Sequence, residues 1–290
     1  MKNSLTHLPV VKQQELKAIV ATTRVHLEVE MIILFGSYAR GDWVEDAYEE
    51  EGVLYRYQSD YDLLVIVRTR SIQKQRRLES DLMNTIHKLS DIHTPFSVIV
   101  HDVHYINAQL DEGQYFFSDI KKEGVLLHST GNLQLREIVK ELNPQQRYEL
   151  AKEDFKHWFT DAVGFHRTAT SCIEKHDYNI AAFLLHQAAE RSYNAILLVF
   201  TRYKPKTHNL EILRRLTHAL DQRPFKIFPL SNPEEERLFK LLCDAYIDAR
   251  YKKNYNITEQ ELLWLAERVK ALQALTESLC MEKMQSFLAK

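Results

Sequence analysis

Two short runs in the first third of the chain carry side chains suited to phosphate and metal chemistry. One is Gly36-Ser37, at the end of the apolar run Met31-Ile32-Ile33-Leu34-Phe35 and followed by Tyr38-Ala39-Arg40-Gly41. The other is Ser59-Asp60-Tyr61-Asp62, which opens the apolar run Leu63-Leu64-Val65-Ile66-Val67. On a strand, residues i and i+2 share a face, so Asp60 and Asp62 project together, about 7 Å apart. Carboxylates held that close repel one another unless a cation lies between them. Oxygen-only ligands at this spacing suit Mg²⁺, with phosphate oxygens completing its shell. The Gly-Ser turn supplies backbone N–H groups and a hydroxyl, which suit phosphate.

These residues need strands and turns to position them. Helical spacing at Leu16, Ile19 and Val20 predicts a helix within 11–30, and strands follow at about 31–35 and 61–67. Ser71 can cap a helix running to about Leu89 with Leu78, Leu82, Ile86 and Leu89 on one face. A third strand is expected at 96–101 and a last one at 124–128. The acidic, aromatic stretch from Glu45 to Tyr57 reads as a surface hairpin inserted near the site. Alternating helix and strand argue for an α/β layer structure.

Beyond about residue 140 the pattern is helical only. Periodic runs cover about 146–175, 178–202, 208–221, 232–250 and 259–288. Asn232-Pro233 followed by three glutamates, and the capping box Thr258-Glu259-Gln260-Glu261, mark two helix starts. Short connections predict an antiparallel bundle. Six of the seven glycines lie at or before Gly131, in keeping with turns in the first part and uninterrupted helices in the second. The expected domains are therefore 1–135 and 140–290.

The chain has 290 residues, 45% of them hydrophobic, enough for two cores. No run of 18 apolar residues occurs and the N-terminus lacks an apolar signal core, so no membrane partner and a cytoplasmic location are expected. Cys172, Cys243 and Cys280 are far apart and read as reduced thiols. His87, His93, His101 and His104 lack zinc-site geometry. The net charge of −2 divides unevenly: residues 1–139 hold 15 Lys+Arg against 20 Asp+Glu (−5), and residues 140–290 hold 23 against 20 (+3).

The ordered set Gly36-Ser37, Ala39-Arg40-Gly41 and Ser59-Asp60-Tyr61-Asp62 resembles the nucleotidyltransferase superfamily of DNA polymerase β and kanamycin nucleotidyltransferase. The resemblance implies a small mixed sheet with flanking helices. It also implies a Mg²⁺-dependent transfer of a nucleoside monophosphate from an NTP, with ATP the expected nucleotide, to an acceptor hydroxyl on a small molecule, an RNA or a protein tyrosine. Asp60 and Asp62 would be catalytic and hold the metal, and Gly36, Ser37 and Arg40 would bind nucleotide. Two departures stand out. The gap between Ser37 and Asp60 is long, and Ser97 occupies the place of the third carboxylate that the family draws from the next strand. Loss of that acid would leave nucleotide binding intact and weaken catalysis. A nucleotide sensor, or antitoxin-like regulator, is thus the alternative.

The second half resembles the HEPN family of helical bundles through Phe183 to Arg191, Lys206-Thr207-His208-Asn209-Leu210, and Tyr246 to Tyr255. That resemblance implies pairing of helical faces into a homodimer. It also brings in toxin–antitoxin-like systems, in which the transferase modifies a tyrosine of its HEPN partner, here Tyr251 or Tyr255. Many members are ribonucleases with an arginine and, four to six residues on, a histidine. Here Arg250 is followed by Tyr255 at that place, and a tyrosine is a poor general base at neutral pH. Arg250, Tyr255, Glu190 and His186 form the candidate site of this half, with RNA cleavage the further alternative.

Overall fold

The structure, a computed structural model, describes residues 1–50, 53–138 and 141–289, with backbone alone over 46–50 and 53–58. The chain divides into two compact units, Met1–Glu141 and Leu142–Lys290.

The first unit is built on a four-stranded mixed sheet of order β5-β4-β1-β6. Its strands are β1 (Val29–Phe35), β4 (Tyr61–Val67), β5 (Phe96–Asp102) and β6 (Val125–Ser129). β1 runs antiparallel to both β4 and β6, while β4 and β5 are parallel. Every residue of β4 is buried, as expected for a central strand covered on both faces. One face packs under α1 (Val10–His26) and α3 (Ile72–Ile86), where Leu16, Ile19, Leu82 and Ile86 meet Ile32, Leu34, Leu63, Val65 and Val98. The other face meets α4 (Val103–Asp111) and α5 (Tyr115–Glu123): Phe116 packs edge-on against Phe35, and Phe117 and Tyr105 pack against His101. Ser71 caps α3 by accepting from the Lys74 N–H. Helix α5 has no counterpart among the elements expected from the sequence. It starts at Gln114, whose side chain accepts from the Phe117 N–H.

The second unit is helical: α6 (Pro144–Glu174), α7 (Tyr178–Thr201), α8 (Leu210–His218), α9 (Pro233–Asp244), α10 (Asp248–Tyr251) and α11 (Glu259–Leu288), with a 3-10 turn over Arg223–Ile227. A three-residue link makes α6 and α7 antiparallel neighbours. α11 also runs against α6, since His166 bonds the Ala266 carbonyl and Gln273 the Ala162 carbonyl. Ala181, Ala182, Ala188 and Ala189 on α7 are fully buried, and their small side chains let the long helices approach closely. The capping boxes at Asn143 and Thr258 form. The periodic run expected over 232–250 is broken at 245–247, so Arg250 lies on a separate single turn. Among the described residues no helix is long and apolar enough to cross a membrane.

Candidate functional site

β1 and β4 are antiparallel neighbours, and their register sets Phe35 opposite Asp62. The residue after Phe35 therefore arrives beside the Asp62 carboxylate. It is Gly36, at φ +74°, and a Cβ built there would collide with Asp62 Oδ2. Both the backbone conformation and the space require glycine. The chain then turns once through α2 (Gly36–Arg40), closed by Gly41 at φ +98°. The N–H groups of Gly41 and Asp42 both donate to the Ser37 carbonyl, at 2.8 and 3.1 Å. Tyr38 and Ala39 are buried, which leaves Ser37 and Arg40 on the outer side of the turn. Arg40 is exposed and bonds Asp42 at 3.0 Å.

Asp62 is 5% exposed and accepts a hydrogen bond from Ser97 Oγ at 2.7 Å. Ser97 is its register partner on β5. Burial, then the charge of Asp60, pushes the Asp62 carboxyl well above the usual carboxylate range; the Ser97 bond and Arg40 oppose the shift. Tyr61, between the aspartates, points to the opposite face. Its hydroxyl donates to the buried Glu15 carboxylate at 2.7 Å, which also accepts from Thr94 Oγ1 at 2.5 Å and the His93 N–H at 2.9 Å. Burial works against ionised Glu15, but these bonds outweigh it and hold the carboxyl below its ordinary value. The strand bearing the aspartates is thus pinned from behind.

Two oxygen-donor carboxylates, one buried and each raising the other's charging cost, fit a hard divalent cation. No group of three or more His, Cys, Asp or Glu able to hold a metal forms among the described residues. Asp102 caps α4 through the His104 and Tyr105 N–H groups and bonds Gln75. It pairs with Val67, five residues and about 17 Å along the strand from Asp62.

The insert is a hairpin of β2 (Glu45–Glu50) and β3 (Val53–Gln58), paired from Glu45↔Gln58 to Glu50↔Val53. Glu51 and Gly52, between these strands in sequence, lie outside the described residues. The base is fixed by Ser59, whose N–H donates to the Val44 carbonyl at 2.8 Å and whose Oγ accepts from the Val44 N–H at 2.9 Å. Glu45 pairs with Lys12 and accepts from Tyr38 Oη at 3.0 Å. The hairpin therefore rises from residues that adjoin both Ser37 and Asp60.

In the helical unit three of the four expected residues come together. His186 and Glu190 are buried on α7. His186 Nε2 donates to the His208 carbonyl at 3.1 Å, and Gln187 Nε2 bridges His186 Nδ1 and Glu190 Oε2 at 3.3 and 3.2 Å. Burial pushes the His186 pKa down to about 3, so the ring is neutral. His208 donates from Nδ1 to Glu190 at 3.0 Å and stacks on Tyr246 with ring centroids 4.4 Å apart. Arg250 lies over Tyr246 and Phe183, each at 4.7 Å, and donates to the Tyr246 carbonyl at 2.6 Å. Tyr255 is apart from this group. Its hydroxyl donates to the Leu241 carbonyl at 3.0 Å, the ring is 7% exposed, and burial raises its pKa. The chain leaves the single turn α10 at Lys252, so a spacing of five does not return Tyr255 to the face of Arg250. Tyr251, in contrast, is 73% exposed beside Arg250.

Comparison with known proteins agrees with this division. Residues 15–131 match the family model "Polymerase beta, Nucleotidyltransferase", and residues 155–279 match "HEPN domain". No curated protein matches the chain. The crystal structure of a nucleotidyltransferase-like protein from Exiguobacterium sibiricum 255-15 aligns over 94% of this chain and 78% of its own, with 12% identity and a TM-score of 0.29, too low to support a structural argument. The α/β unit that brings Gly36 against Asp62 is a nucleotidyltransferase domain of the polymerase β family, and the helical unit that follows it is a HEPN domain.

Proposed function

We propose that the first unit binds a nucleoside triphosphate with Mg²⁺ and transfers its nucleoside monophosphate to an acceptor hydroxyl, expelling pyrophosphate. The observation that carries this reading is the contact of Gly36 with the Asp62 carboxylate, which sets the Gly36-Ser37 turn directly against one of the two aspartates. Asp60 and Asp62 are the residues that would hold Mg²⁺; when bound, the ion neutralises charge that develops on the phosphates. The Gly36-Ser37 turn offers N–H groups that lack helical partners, as any first helical turn does, together with the Ser37 hydroxyl. Arg40, on the same outer side, adds positive charge. Glu15 and Ser97 keep the acid-bearing strand and the Asp62 rotamer fixed.

A second reading rests on Ser97. Its hydroxyl fills the position in register with Asp62 from which a third carboxylate would otherwise activate the acceptor. A domain built this way binds nucleotide and signals occupancy with slow transfer or none. For the helical unit, the Tyr255 hydroxyl bonded to the Leu241 carbonyl argues against its use as a general base, and Tyr251 is the accessible candidate acceptor tyrosine.

Incubation with Mg²⁺ and ATP labelled at the α-phosphate separates the readings. Label on Tyr251, RNA or a small molecule supports transfer. Calorimetric binding of Mg-ATP without turnover supports the sensor. If Asp60→Ala with Asp62→Ala leaves Mg-ATP affinity unchanged, the site assignment is wrong.

A further inference from the structure

At the other end of β4 from the aspartates the chain carries Arg68, Arg70, Lys74, Arg76 and Arg77. These are five of the fifteen cations in residues 1–139, a stretch of net charge −5, and no acid occurs between Asp62 and Glu79. All five are exposed. Arg68 is paired with the buried Glu30. Arg70, Lys74, Arg76 and Arg77 make no ion pair among the described residues. Of the acids on α3, Glu79 accepts from the Val100 N–H at 3.2 Å, and Asp81 lies exposed one turn beyond Arg77.

The segment is also held in place. Gln75, 2% exposed, donates to the Thr69 carbonyl at 2.7 Å and to Asp102 Oδ2 at 3.1 Å. The Ser71 N–H donates to Thr69 Oγ1 at 3.4 Å, and Ser71 caps α3. The loop bearing Arg70 and the helix bearing the other three cations thus form one preorganised surface. Lys74 lies in a first turn that has no acidic residue, where positive charge opposes the helix macrodipole.

We propose that this face binds the phosphate backbone of a nucleic acid, at a site separate from Asp60 and Asp62 and independent of any transferase activity. The geometry favours an extended polyanion over a small one. Lys74 and Arg77 share a side of α3, whereas Arg76 is about 200° around the axis from Lys74, so one small anion cannot bridge them. A chain of phosphates lying across the helix reaches all four. Ile72, 48% exposed, is the only large apolar residue exposed in this segment, too little for a lipid-inserting surface.

The test uses the full-length protein and a fluorescein-labelled 20-nucleotide RNA of mixed sequence, the same sequence as DNA, and vesicles containing phosphatidylserine. Four phosphate contacts predict that log K falls with log salt with a slope of about −3 for single strands. The variant R70Q/K74Q/R76Q/R77Q should flatten that slope by about 3 and weaken binding at low salt by at least ~10-fold. Its melting temperature and Mg-ATP affinity should match wild type, and D60A/D62A should bind RNA normally. Binding of RNA alone or of both nucleic acids through these residues supports the proposal and fixes which polymer is preferred. An unchanged salt slope in the quadruple variant, no nucleic-acid binding by wild type, or patch-dependent binding to vesicles only would overturn it.

Discussion

Replacing Gly36 by alanine tests the feature on which the nucleotide site rests. Two costs are expected. A non-glycine residue at φ +74° costs about 1–2 kcal/mol. The new methyl group would also overlap Asp62 Oδ2, and the carboxylate has little room to retreat, because its other oxygen accepts the Ser97 bond of 2.7 Å. Breaking a charge-assisted bond of that kind costs about 1.5–3 kcal/mol. Together the terms predict a loss of about 2.5–5 kcal/mol, or about 7–15 °C in the melting of a unit of this size. Differential scanning calorimetry of G36A, D62A and the double variant reads both terms. In the D62A background the collision is gone, so G36A should then cost only its backbone share of about 1–2 kcal/mol. Equal costs in the two backgrounds would show that Gly36 and Asp62 are not in contact, and the argument for a joined turn and metal pair would fail.

Other expectations follow from the same contacts. Ser97→Asp adds a carboxylate in register with Asp62, so α-phosphate label transfer should rise, while the metal-free protein melts lower and recovers with Mg²⁺. The raised Asp62 pKa means that the folded unit holds a proton more tightly than the unfolded chain, so its contribution to stability is present below the ordinary Asp value of 3.8 and is lost as pH climbs through the raised folded value. D62N should therefore melt higher than wild type at pH 7 without metal, and the gain should vanish at low pH; a lower melting point at pH 7 would contradict the burial argument. In the helical unit, the buried Arg214 donates to the Phe225 and Phe228 carbonyls at 3.2 and 2.5 Å and lies 3.5 Å from the Phe225 ring centroid. Arg214→Met strands both carbonyls and should cost about 2–5 kcal/mol, read by denaturant unfolding.

Much of the architecture could be read from the chain because strong local patterns coincide with tertiary roles. Apolar runs at 31–35 and 61–67 became adjacent strands, and the Thr258 capping box and the Asn232-Pro233 start became helix ends. The placing of Gly36 just past one strand and of Asp62 at the start of another was legible because each abuts an apolar run. The partnership of Glu190 with His208 was not, since it depends on an irregular return between α7 and α8 that has no period. Tyr255 was misplaced by spacing alone: counting five residues assumes a continuous helix, and the end of α10 at Tyr251, with Lys252 extended, removes that assumption. Arg214 gave no signal, because nothing in sequence distinguishes a buried arginine that serves carbonyls from an exposed one.

The hairpin of β2 and β3 has a wider bearing. Because Phe35 and Asp62 are held opposite each other by the β1–β4 ladder, the hairpin between Glu45 and Gln58 is not needed to align them. The ribbon's length and composition can change without parting Gly36 from Asp62. It is therefore where the fold can accept insertions while the aspartate-bearing end of the sheet keeps its register.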